Sequence, residues 1–175
     1  HPLASPHPYG ASKIAADRAC NAYRETYGLD ISIARCFNIF GPRQKSGVLG
    51  SFIPMTINKV LNDRCPTIYG DGKQTRDYVY IDDVINAYSL LLNKYSPGGI
   101  YNFGTGIEIS ILDICNKIIE YCDKDLKPLH IKKRTSEVLS LIADYSKAKN
   151  ELGWKPTIGF DRGLKTTVDW YKERL

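Results

Sequence analysis

An α/β fold is predicted from three observations. Short apolar runs of strand length alternate along the chain with longer stretches of helical periodicity. Those runs are bounded by Gly, Pro, Asn and Asp. No internal repeat, low-complexity segment or linker breaks the alternation, and a chain ordered in this way builds a layered α/β structure. The 175 residues are 43% hydrophobic and 25% charged, enough apolar side chain for a packed core. The length suits one domain, or one large piece of a two-lobed protein.

The elements follow in order. Ser5-Pro6-His7-Pro8 reads as a turn, and a helix over about 9–27 ends at Gly28, which can take the left-handed conformation of a helix terminus. Ala11, Ala15, Ala19 and Ala22, with Ile14, form a small apolar face that permits close packing. Residues 31–34 read as a short strand ending at Arg35, and Phe37 to Gly50 as loop. A helix over 52–61, a strand over 67–69 and a tight turn at Gly70-Asp71-Gly72 come next. Residues 78–81 form a strand that leads into a helix over about 82–93, with Asp82 or Asp83 near its start. Pro97-Gly98-Gly99 turns into a strand over 100–103. Ser110 caps a helix over about 111–122, and 129–133 alternate like an edge strand. Helices over 146–152 and 160–174 close the chain.

Bulk properties narrow the function. No run approaches the ~20 apolar residues of a membrane span, and no signal segment opens the chain. Cys20, Cys36, Cys65, Cys115 and Cys122 are odd in number, widely spaced and never CxxC, which fits reduced, mostly buried thiols in a cytoplasmic protein. His1, His7 and His130 share no ligand spacing, so a metal site is not expected. The net charge is +5 and uneven: residues 1–76 carry 10 basic and 5 acidic side chains, whereas 77–175 carry 14 of each. Residues 35–76 hold 7 basic side chains against Asp63 and Asp71. This suits a phosphate-bearing small ligand. With no basic stripe or helix-turn-helix pattern, nucleic acid is not an expected partner.

Four segments carry candidate chemistry. Tyr9 and Lys13 lie four apart on the first helix, so a phenol and an ammonium share one face. A cation beside a phenol favours the phenolate, which makes a usable base. The same spacing recurs at Tyr69/Lys73 and Tyr145/Lys149, so spacing alone also fits a solvated pair. Only the first copy has Gly10, Ala11 and Ser12 between its members, leaving room for a ligand. Arg35-Cys36-Phe37-Asn38-Ile39-Phe40-Gly41-Pro42-Arg43-Gln44 follows a strand, where α/β sheets place ligands, and Asn38 offers an amide donor and acceptor. An ordinary Asn-stabilised loop explains it equally. Gly70 to Tyr78 sets Arg76, a planar fork for phosphate oxygens, at the entry to a strand; a surface turn with an Arg–Asp ion pair is the alternative. Arg134 to Glu137 offers a second guanidinium and a carboxylate, or merely a basic loop. Tyr101-Asn102-Phe103-Gly104-Thr105-Gly106 lacks the third glycine of a dinucleotide loop and the Lys-Ser of a P-loop, and is read as a strand end before a helix.

Taken in order, PYGASK, RCFNIFGPRQ, GDGKQTRDYVYIDDV, YNFGTG and the tail from Asp144 to Pro156 resemble the extended short-chain dehydrogenase/reductase family, the NAD-dependent nucleotide-sugar epimerases and dehydratases. The resemblance runs from Pro8 to the C-terminus. It implies the C-terminal part of a Rossmann-type NAD-binding domain (1–45) plus a smaller α/β nucleotide-sugar lobe (46–175), with 82–104 returning to the Rossmann sheet. It further implies Tyr9 as general base and Lys13 as holder of the nicotinamide ribose. Phe37 would flank the nicotinamide of NAD, Asn38, Arg76 and Arg134 would meet the sugar-nucleotide diphosphate, and Glu137 the nucleotide ribose. Tyr69 would lie against the base. Ser136 stands where many relatives carry glycine. The motifs look most like the UDP-hexose and UDP-N-acetylhexosamine 4-epimerases. The dTDP-glucose 4,6-dehydratases usually carry serine-asparagine in place of Phe37-Asn38, and decarboxylases are a further branch. The family's glycine-rich fingerprint and substrate-bonding Ser/Thr belong upstream of Tyr9, so this chain alone is expected to be inactive. Exposed apolar surface on the first helix, and dimerisation of the intact enzyme through it, are also expected.

Overall fold

The computed structural model describes residues 5, 7–46, 51–94, 98–135 and 137–174. Pro6 of the first turn, Gly50 at the end of the long loop, Pro97 and Ser136 lie outside the described residues.

Helix α1 (Pro8–Tyr27) starts where His7 Nδ1 accepts the Tyr9 N–H and ends at Gly28, whose φ of 64° and N–H to the Arg24 carbonyl make the expected left-handed cap. β1 (Ile33–Cys36) and β2 (Asn38–Phe40) follow within one stretch of chain. β1 lies two residues later than its sequence pattern suggests, and β2 falls in a stretch read as loop. Its existence depends on parallel pairing with β4 (Thr75–Tyr80), a partner far along the chain. α2 (Phe52–Leu61) and β3 (Thr67–Tyr69) sit as expected. β4 begins three residues before the predicted strand, because Thr75, Arg76 and Asp77 pair antiparallel with β6 (Glu108–Ser110), a further strand the sequence pattern missed. α3 (Ile81–Asn93), β5 (Ile100–Phe103) and α4 (Ile111–Tyr121) complete the middle, and Ser110 Oγ accepts the Asp113 N–H as the predicted cap of α4. β7 (Leu129–Ile131), a π-helical turn (Ala148–Leu152) and α5 (Phe160–Lys172) follow.

Among the described residues, three small sheets result. β1 pairs parallel with β5, β2 and β6 flank β4, and β3 pairs parallel with β7. β4 divides the interior because successive side chains point to opposite faces. Tyr78 and Tyr80 enter a core with Phe40, Ile53, Ile57, Ile114, Ile118, Leu164 and Val168, built against α2, α4 and α5. Val79 enters a second core with Val84, Ala87, Tyr101, Phe103, Leu152 and Trp154.

α1 stands apart from both cores. No residue of it is buried, and Ala11, Ala15, Ala19 and Ala22 are exposed, as are Tyr9, Tyr23 and Tyr27. Its half-buried side is tied to β1 by the Asp17–Arg35 ion pair at 2.6 Å. Cys115 and Cys122 are buried, but Cys20, Cys36 and Cys65 are only half-buried, so the expectation of mostly buried thiols holds for two of the five. Among the described residues no helix is long and apolar enough to cross a membrane, and no cluster of His, Cys, Asp and Glu is arranged for a metal ion.

Candidate functional site

The helical spacing of Tyr9 and Lys13 does bring them together: the Lys13 ammonium lies 5.4 Å from the centre of the Tyr9 ring. Tyr9 is 68% exposed, so its hydroxyl is open to a ligand. The room beside Gly10, however, belongs to the protein. A Cβ there would strike Ser5 Oγ, so Gly10 lets the turn before the helix pack in, and it is Ala11 and Ser12 that leave the face low. An exposed ammonium and phenol on one face, with only small side chains between, suit the hydroxyls of a nicotinamide ribose. Phe37 is half-buried between β1 and β2, where its N–H is held by the Phe103 carbonyl at 2.9 Å.

Asn38 and Arg76 lie on the paired strands β2 and β4. Asn38 Nδ2 donates to the Asp77 carbonyl at 2.8 Å, so one side of its amide braces the sheet and does not face outward. Arg76 Nη1 donates to the Thr75 carbonyl at 2.7 Å, folding the guanidinium along its own strand. The Arg–Asp ion pair of the alternative reading is not formed by Arg76 among the described residues. Asp77 is wholly buried, and its carboxylate accepts from Thr105 N (2.8 Å), Thr105 Oγ1 (2.7 Å), Gly106 N (2.8 Å) and Ala143 N (3.1 Å). The Gly104-Thr105-Gly106 turn therefore cradles an internal carboxylate, in the way such turns elsewhere cradle phosphates. Asp83 acts likewise: instead of capping α3, its carboxylate accepts from Thr157 N, Thr157 Oγ1 and Ile158 N at 2.6–3.0 Å. Its backbone carbonyl accepts the Trp154 indole N–H at 2.9 Å.

Tyr69 and Glu137 line one cleft of about 290 Å³ with Gly70, Lys73, Gln74 and Lys133, and Arg134 stands beside it through its contact with Tyr69. The Arg134 guanidinium stacks on the Tyr69 ring at 3.8 Å from its centre. Asp71 also lines the cleft, and the Lys73 backbone N–H, with the Lys73 charge behind it, holds its carboxyl below the ordinary value. Gln74, which the sequence reading passed over, joins two of the cleft residues. Its Nε2 donates to the Tyr69 carbonyl (3.0 Å) and to Glu137 Oε1 (3.3 Å). Its only sequence signal is a position inside the GDGKQTRDY segment. An aromatic face, the cationic side chains of Lys73 and Lys133 and the carboxylates of Asp71 and Glu137 around one cleft offer partners for a base, phosphate and ribose hydroxyls.

A model of the GDP-mannose 4,6 dehydratase family matches residues 1–167, and the chain belongs to that family, within the extended short-chain dehydrogenase/reductases that comprise nucleotide-sugar epimerases and dehydratases. The similarity extends to both reaction classes. A dTDP-glucose 4,6-dehydratase from Actinoplanes sp. is 33% identical over 173 residues, covering 98% of this chain and 53% of the relative. The crystal structure of a UDP-glucose 4-epimerase from Thermotoga maritima, solved with UDP-glucose, superposes with a TM-score of 0.90 at 31% identity, over 95% of this chain and 53% of that one. A dTDP-glucose 4,6-dehydratase from Streptomyces venezuelae, solved with NAD, gives 0.89 at 33% identity over 95% and 51%. The chain thus spans about half the length of the relatives it matches.

Proposed function

We propose that this chain carries the base and the nucleotide-sugar lobe of an NAD-dependent nucleotide-sugar 4-epimerase acting on a UDP-hexose or UDP-N-acetylhexosamine. The observation that carries the reading is the meeting of Tyr69 and Glu137 in one cleft, with the Arg134 guanidinium against the Tyr69 ring. In this reading Tyr69 stacks on the base, Glu137 accepts from the ribose hydroxyls, and Arg76 and Arg134 turn to the diphosphate with Asn38. Tyr9, as phenolate, takes the proton of the sugar 4-hydroxyl while Lys13 holds the nicotinamide ribose and stabilises the charge on Tyr9. NAD, when bound, supplies the acceptor and later the donor of the hydride at C4. Tyr9 returns the proton after the 4-keto sugar has turned over in the site, and the opposite configuration results. The division into residues 1–45 with 82–104 as the NAD-side portion, and the rest as the sugar-nucleotide lobe, is supported by the parallel pairing of β1 with β5. The unburied face of α1 supports dimerisation through that helix.

A 4,6-dehydratase of the same family is the second reading, favoured by the similarity to dTDP-glucose 4,6-dehydratases. The intact enzyme that contains this chain is incubated with NAD and either UDP-glucose or dTDP-glucose, and the products are followed by mass spectrometry and sugar analysis. Interconversion of gluco and galacto forms at constant mass supports the epimerase, and loss of one water supports the dehydratase. Binding without product leaves the chain as a nucleotide-sugar-binding part. Failure to bind either sugar nucleotide overturns all three.

A further inference from the structure

Gln74 takes no part in the roles above, yet it is the polar side chain on which the cleft is strung. It is 7% exposed, and a primary amide nitrogen has two hydrogens to place. Both acceptors are present, the Tyr69 carbonyl and Glu137 Oε1. The backbone register explains why a side chain is needed here. The segment that carries Glu137 is laced to β4 at every second residue: Thr75 N–H donates to the Leu139 carbonyl (2.8 Å) and Asp77 N–H to the Leu141 carbonyl (2.9 Å). One step further, Lys73 N–H would face residue 137, but it turns to Asp71 Oδ1 at 3.0 Å instead. The Gln74 carboxamide takes over that rung, reaching Glu137 while the Gln74 carbonyl accepts from Ile111 N–H at the start of α4 (3.1 Å).

We propose that Gln74 is a positioning residue for nucleotide recognition. It fixes the Glu137 carboxylate relative to Tyr69, so that ribose and base meet a preset pair. The inference rests on the nucleotide-sugar reading of the cleft.

The test is a double-mutant cycle read by calorimetric titration with UDP and with dTDP, using whichever binds the wild type more tightly. Gln74→Leu and Glu137→Ala are each expected to weaken binding about tenfold, the order expected for loss of a hydrogen bond to a charged group. The double variant is expected to bind no more weakly than the poorer single one, because Gln74 acts through Glu137. A purely structural role would make the two losses multiply. Should Gln74→Leu melt below the wild type, Gln74→Glu is read in its place. That variant keeps the shape but aims a carboxylate at both Glu137 and the Tyr69 carbonyl, and Glu137→Gln should restore part of its binding. Affinity unchanged in the variants, or losses that multiply, would overturn the proposal while the nucleotide reading stands. A wild type that binds neither nucleotide overturns both.

Discussion

Asp77 and Asp83 show how a residue's place in a motif differs from its work. Both lie in the segment that ends in Tyr-Ile-Asp-Asp-Val, and both are buried carboxylates saturated with donors from distant parts of the chain. Asp77→Asn would turn an amide NH₂ toward either the Thr105 N–H or the N–H groups of Gly106 and Ala143, leaving donors facing donors. The expected loss is about 2–4 kcal/mol, within the range for breaking a buried charged hydrogen-bond cluster, and a urea titration would read it. Tyr9 is the contrasting case, exposed and free of any packing duty. In the intact enzyme, Tyr9→Phe should leave folding and nucleotide affinity unchanged while turnover falls by roughly 10²–10⁴-fold, the usual contribution of a positioned acid–base group. Steady-state kcat beside a nucleotide Kd would separate the two effects. Tyr9, Lys13, Asn38, Arg76 and Arg134 were legible in the sequence as chemistry-bearing types at motif positions. Gln74 was not, because its two partners lie 5 and 63 residues away and no local spacing announces them.

Among the elements, helix ends were well marked, and so were β3 and β5, whereas β2 and β6 were not. Gly28 and Ser110 end and start their helices by local chemistry, so both were readable. β2 is three residues long and precedes Gly-Pro, and only its parallel pairing with β4 makes it a strand. The helix α5 shows tertiary context overriding propensity. Alanine is the better helix former by about 1 kcal/mol, yet Gly163 faces a crowded seam. A Cβ at Gly163 would sit 2.7 Å from Tyr80 Cδ2 and 3.0 Å from Phe40 Cζ, on rigid rings that are themselves packed edge to face. Gly163→Ala is therefore expected to destabilise by about 1–3 kcal/mol. Each kcal/mol lowers the melting temperature of a chain this size by roughly 2–4 °C, and a thermal melt would show the drop.

For the whole molecule, burial of weak acids sets an alkaline limit. Burial pushes Tyr78 from 10.0 up to about 12, Cys115 from 9.0 to about 12 and Cys122 from 9.0 to about 11. The folded state keeps these protons longer than the unfolded chain does, so their contribution is complete below pH about 9 and is lost as pH rises toward 12. Urea midpoints should fall across that window, and Tyr78→Phe should fall less steeply above pH 10, the ordinary tyrosine value. By itself the sequence determined the α/β class, the order of most elements and, through five ordered motifs, the family. These depend on periodicity, caps and residue types, all of which are local. The tertiary structure decided which motif residues face the cleft and which hold the core together. It turned the Gly104–Gly106 turn and Asp77 inward, stacked Arg134 on Tyr69, and strung Gln74 between Tyr69 and Glu137. Those choices rest on hydrogen bonds spanning up to 66 residues of chain, and a buried polar group takes whichever partner the fold brings within reach.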